Sequence, residues 1–103
     1  MKRVFLTAGL LALLGMFGVA QAAGDAQAGK TKAGACAGCH GTNGEGVPPN
    51  PALAGKAENE LVQALKDYKS GKRTNAIMKT FANQLSDQDM ANVAAYYASL
   101  KGK

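Results

Sequence analysis

The 103-residue chain has no tryptophan, one histidine and two cysteines. Two cysteines cannot build the disulfide framework that staples many small exported domains. Cys36, Cys39 and His40 are all the Cys and His present, one ligand short of the four that a structural zinc site takes. Bulky apolar residues are scarce as well. From Ala23 onward Leu, Ile, Val and Phe number ten, roughly 12 %, against the level of about 20 % below which disorder is suspected. No basic run interleaves with aromatic residues, so nucleic-acid binding has no support. Nothing alternates in the manner of a strand, and no segment repeats. The thin core is the informative absence. A domain this small needs something besides its own side chains to pack around, and a large apolar cofactor would supply it.

The chain opens Met1-Lys2-Arg3, runs apolar from Val4 to Ala20 and reaches Ala20-Gln21-Ala22. A basic start, an apolar stretch and small residues at a cleavage site predict a secretory signal peptide over residues 1–22. The competing reading is an uncleaved membrane anchor, disfavoured by the glycines in the run. The mature domain is then residues 23–103, long enough for one domain. It carries ten Lys and Arg against seven acids, a modest positive balance.

Asp25 is a good N-cap for a short helix of small residues reaching about Cys36. Residues 41–57 are dense in Gly, Pro and Asn, which predicts loop. Leu61, Ala64, Leu65 and Tyr68 follow helical spacing, with Glu58 and Glu60 in the first turn and Gly71 just past the end. Ser86 and Asp89 predict a capping box for a last helix, with Leu85 and Met90 at its staple positions. Val93, Tyr96, Tyr97 and Leu100 form the apolar face of that helix. The fold class is all-α: three main helices and long loops.

Cys36-Ala37-Gly38-Cys39-His40 is a C-x-x-C-H motif, the signature of c-type haem attachment. Two thiols that add to two vinyl groups on one porphyrin edge must lie about one helical turn apart. The adjacent histidine is then delivered to the iron from the same side. A Cys36–Cys39 disulfide of thioredoxin type is the competing use of this spacing, but the βαβ setting it requires is missing. The sixth iron ligand decides the chemistry. An open position binds gases or peroxide, whereas His with Met gives a redox-only centre. Met78 and Met90 are the candidates. Met90 is accounted for as a staple residue, which favours Met78, in a loop-like stretch behind Arg73-Thr74-Asn75. For Met78 the remaining alternative is an ordinary packed methionine.

With CAGCH near the start of the mature chain, a Pro-rich loop and Met78 ahead of a C-terminal helix, the sequence resembles class I cytochrome c. It is similar to the small periplasmic single-haem cytochromes of proteobacteria, and to one half of their two-haem relatives. The resemblance implies a cytochrome c-like bundle around one haem c, held by thioethers from Cys36 and Cys39, with His40 and Met78 on the iron. It also implies that Pro51 lends its carbonyl oxygen to the Nδ1 hydrogen of His40. Gly29 is expected to cross the last helix near Val93 and Tyr96. The implied function is a monomeric, periplasmic one-electron carrier without catalytic residues. Its partners are a transient redox donor and acceptor, peripheral to membrane complexes, and no nucleic acid. The alternatives are a peroxidase-like or gas-binding protein with a displaceable sixth ligand, or a redox subunit of a larger enzyme. Arg73 is read as either a propionate contact or a solvated side chain.

Overall fold

The computed structural model describes residues 24–100; the expected signal peptide lies outside the described residues. Five helices follow in order: α1 Ala26–Lys32, α2 Gly34–His40, α3 Glu58–Ser70, α4 Ala76–Asn83 and α5 Asp87–Ala98. No strand occurs among the described residues, only an isolated bridge between Val47 and Asn50. The all-α class holds. The helix number is larger than the expected three, for two local reasons.

The first expected helix is two. Asp25 caps α1, its carboxylate accepting from the N–H groups of Gln27 and Ala28. At Ala33 the backbone turns, and the Ala33 carbonyl accepts from both Cys36 N at 2.8 Å and Ala37 N at 3.1 Å. Gly34, a weak helix former, stands at this break. Helix α2 then runs on past Cys36 to His40. The second correction concerns Met78, which lies in a helix and not in a loop-like stretch. Asn75 accepts from the N–H groups of Ile77 and Met78 and so starts α4. Short polar side chains can satisfy the free donors of a first turn in this way.

Helix α3 begins and ends where its charges and Gly71 place it. Gly71 has φ 89°, the left-handed conformation that closes a helix at little cost to glycine. Helix α5 carries the expected capping box: Ser86 accepts from Asp89 N, and Asp89 accepts from Ser86 N.

The buried cluster is small: Ala33, Leu61, Val93, Ala94 and Tyr97, with Cys36, Leu53, Val62, Tyr96 and Leu100 packed around it. Helix α5 is its spine, packing on α1 and α3, while α4 packs on α3. Helices α1 and α5 cross closely because Gly29 is buried against the backbone of Asn92 and Val93. Asn92 also accepts from Asp25 N at 2.8 Å. The crossing thus lies at Asn92–Val93, by Val93 as expected.

Candidate haem-attachment site

Cys36, Cys39 and His40 occupy the single short helix α2, so three chemically distinct side chains emerge within little more than one turn. Both cysteines are free thiols; Cys36 is half-buried and Cys39 exposed. The backbone around them is pinned from the loop that follows. Gly46 N donates to His40 O at 2.7 Å, and the Asn50 side chain donates to Cys39 O at 2.9 Å. Gly44 O accepts from both Leu53 N and Ala54 N, which folds residues 44–54 into a closed loop beneath the helix.

That loop delivers Pro51. His40 is buried, 6 % exposed, and its Nδ1 lies 2.7 Å from Pro51 O. A carbonyl oxygen can only accept, so Nδ1 carries the hydrogen and Nε2 is the nitrogen left to bind a metal. The bond fixes the ring's orientation and tautomer and raises the basicity of Nε2. The structure therefore brings together four of the five residues expected at the site: Cys36, Cys39, His40 and Pro51.

Met78 comes from a separate element. It is half-buried in the first turn of α4, three residues before Phe81 and so on the same helix face. Phe81 and Leu85 line an open cleft of ≈ 310 Å³ together with Cys36, Ala35 and Thr31. Helix α4 thus faces the cysteine-bearing helix across this cleft. Met90, on α5 itself, is fully buried at 0 % exposure, a packing position.

Tyr97 is the feature that sequence reasoning read as packing alone. It is 1 % exposed, its ring abuts Gly44, and its carbonyl accepts from Gly55 N at 3.0 Å. A side chain at Gly44 would put its Cβ 2.6 Å from the tyrosine ring, so only glycine fits beneath it. Tyr97 lies in the buried cluster against which Cys36 packs. Burial, and then the neighbouring sulfur, hold the phenol well above its ordinary pKa, so it remains a donor throughout the working pH range. Burial likewise pushes the Cys36 thiol up, against the opposing pull of Tyr97. No spacing rule links these two residues, and nothing in the sequence marks the pair. Arg73, also open at the sequence level, stacks its guanidinium over the Tyr68 ring at 4.8 Å.

The donor set fits one haem. It offers two unpaired thiols about one turn apart and an imidazole whose Nδ1 is engaged by Pro51 O, leaving Nε2 for the iron. A thioether stands on a facing helix, and half-buried apolar side chains lie between. Comparison with known proteins agrees. Residues 26–101 match the cytochrome c family profile. Cytochrome c4 of Pseudomonas aeruginosa is 50 % identical over 93 residues, covering 89 % of this chain and 46 % of the relative. Cytochrome c-554(548) of Halomonas halodenitrificans is 46 % identical over 81 residues, covering 75 % of this chain and 98 % of the relative. The cytochrome subunit of sulfide dehydrogenase from Chlorobaculum tepidum is 35 % identical over 68 residues, 66 % of this chain and 62 % of the relative. Among solved structures, reduced cytochrome c4 from Pseudomonas stutzeri superposes with a TM-score of 0.73 at 40 % identity, covering 79 % of this chain and 48 % of that one. This chain spans about half the length of the cytochrome c4 relatives it matches. With the attachment motif inside the matched span and the helical fold shared, the chain belongs to the cytochrome c family, whose prosthetic group is a covalently bound haem c.

Proposed function

We propose that this protein is a periplasmic one-electron carrier with a single haem c. Residues 1–22 direct its export and residues 23–103 form the carrier domain. The observation that carries the reading is the 2.7 Å contact between His40 Nδ1 and Pro51 O. It orients the His40 imidazole, on the same short helix as both thiols, with Nε2 left for the iron. Cys36 and Cys39 would hold the haem through thioethers, and His40 and Met78 would bind its iron. The haem supplies reversible one-electron chemistry at its iron.

The chain's own residues do the rest. The closed loop of residues 44–54 holds the Pro51 carbonyl against His40 and keeps the ring from swinging. Asn75, by capping the first turn of α4, fixes the backbone that carries Met78. A neutral thioether favours ferrous over ferric iron and raises the potential. With His40 and Met78 both on the iron there would be no open position for a substrate, and no residue would act as acid, base or nucleophile. Ile77, 65 % exposed beside Met78, gives a small apolar contact for brief encounters with a redox donor and acceptor. The protein works as a monomer, at the surface of membrane complexes. No helix of the described residues is long and apolar enough to cross a membrane.

Intact mass and visible spectra test this reading. The denatured chain should retain one haem, and the native protein should be low-spin in both oxidation states and slow to bind carbon monoxide. Met78→Ala should lower the potential and open the iron to carbon monoxide. A haem-free chain with a Cys36–Cys39 disulfide would refute the attachment. Ready binding of carbon monoxide by wild-type ferrous protein would replace the carrier with a gas-binding or peroxidase-like protein.

A further inference from the structure

The Asn50 side chain is tied to the attachment helix at a point for which neither the C-x-x-C-H motif nor iron ligation has any use. We propose that Asn50 is a positioning residue: by donating its side-chain amide to the Cys39 carbonyl, it holds the Pro51 carbonyl on His40 Nδ1 and so lowers the reduction potential of the haem. The inference rests on the attachment reading above and deepens it with a group that touches no iron ligand.

Two consecutive loop residues meet two consecutive helix residues. Asn50 Nδ2 donates to Cys39 O at 2.9 Å, and His40 Nδ1 donates to Pro51 O at 2.7 Å. One hydrogen bond alone would leave the loop free to pivot, whereas two side by side fix both its register and its approach to α2. Asn50 is itself anchored, because its backbone N–H donates to Val47 O at 2.8 Å and closes the turn at residues 47–50. Burial does not hold this segment down: Val47 is 47 % exposed, and Pro48, Pro49 and Pro51 are exposed as well. The wall over the buried His40 is thus an exposed loop kept in place by hydrogen bonds. Its three prolines have no backbone N–H to offer, and the Asn50 side chain supplies a donor in their stead.

The Cys39 carbonyl belongs to the peptide group that joins Cys39 to His40, so the Asn50 bond steadies the backbone from which the imidazole springs. Hydrogen bonding at Nδ1 makes Nε2 the stronger donor, and a stronger donor favours ferric iron. Without the Asn50 amide the loop pivots and water competes for the Pro51 carbonyl. The imidazole then donates less, and the ferrous form gains. A general loosening of the fold acts with the opposite sign, because water admitted to the centre stabilises the more highly charged ferric form.

The test uses holoprotein carrying Asn50→Ala or Asn50→Asp, with Gln63→Ala as control. Gln63 donates to Asp67 Oδ1 at 2.8 Å on α3, so Q63A removes an exposed side-chain hydrogen bond of the same kind away from the loop. At a fixed poise near the wild-type midpoint, N50A should show a ferrous-to-ferric ratio higher by about threefold, a fraction of one neutral hydrogen bond. The His40 Nδ1 hydrogen, followed by NMR in the ferrous protein, should exchange with solvent about tenfold faster in N50A. N50D keeps the side-chain shape but offers only acceptors at neutral pH, so exchange in N50D should be as fast as in N50A. Q63A should match wild type in both measurements. An unchanged or lower ratio in N50A, a slowly exchanging Nδ1 hydrogen in either Asn50 variant, or an equal change in Q63A would each overturn the inference. A chain without covalent haem would sink the attachment reading instead, and intact mass reveals that before any potential is measured.

Discussion

Replacing Gly29 by Ala puts the thin core to its most direct test, because the contact involves backbone on both sides. A Cβ at residue 29 would stand 1.8 Å from Asn92 O, 2.4 Å from Asn92 C and 2.9 Å from Val93 N. No rotamer change relieves this, since all three atoms belong to the backbone of α5. Bringing the oxygen contact out to 3.0 Å requires the helices to part by roughly 1.2 Å. That separation also stretches the bond from Asp25 N to Asn92 Oδ1. Overpacking with no side chain able to yield lies near the upper end of its usual cost, about 3 kcal/mol. The lost hydrogen bond adds about 1 kcal/mol, and the better helix propensity of Ala returns about 1 kcal/mol. The net destabilisation is about 2–3 kcal/mol, a large share of what a domain this size possesses. Guanidinium unfolding of the holoprotein, followed by far-UV circular dichroism, should show it, along with a fall in Tm of about 10–20 °C. Gly34→Ala is the matched control. A Cβ there meets nothing within 4 Å, so the same substitution should be neutral or stabilise by up to about 1 kcal/mol. A G29A protein within about 0.5 kcal/mol of wild type would mean that the close α1–α5 crossing is not what holds the termini together.

Other substitutions separate packing from ligation. Met90→Ala removes a fully buried side chain and should cost about 2–5 kcal/mol in denaturant unfolding while leaving the haem spectrum and potential unchanged; a shifted potential would make Met90 an iron ligand. Asn75→Ala removes the acceptor for Ile77 N and Met78 N. It should destabilise by about 1 kcal/mol and speed carbon monoxide binding, since the turn bearing Met78 frays; an unchanged rate would detach the cap from the ligand. Ser86→Ala should likewise cost about 1 kcal/mol in the same unfolding assay. The Ser86 N–H bond, helped by Lys32, holds the Asp89 carboxyl below its usual range. Asp89 therefore adds stability above the ordinary aspartate pKa that is lost as pH falls through that range. Stability followed from about pH 5 to about pH 3 should drop less steeply in Asp89→Asn than in wild type, and an equal slope would refute the assignment.

What the sequence by itself determined is what short-range chemistry controls. The Cys36, Cys39 and His40 spacing is one helical turn whatever surrounds it. Asp25, Ser86 and Asp89 cap helices through bonds two or three residues long, and Gly71 ends α3 through its own backbone. The scarcity of Leu, Ile, Val and Phe likewise announced that the core was unfinished without a cofactor. Helix α4 escaped this reading because it is eight residues long, too short to show a periodicity, and is stabilised by the Asn75 cap and by packing on α3. The break at Ala33 depends on one carbonyl shared between two donors, a choice made by how α1 and α2 each pack. Pro51 was legible only through resemblance: its carbonyl reaches His40 across eleven residues, a distance that the closed loop of residues 44–54 alone decides. The meeting of Tyr97 with Cys36 belongs wholly to the tertiary structure. It exists because glycines at 29 and 44 let α5 settle close to the chain on two sides, which buries the Tyr97 ring in the cluster against which Cys36 packs.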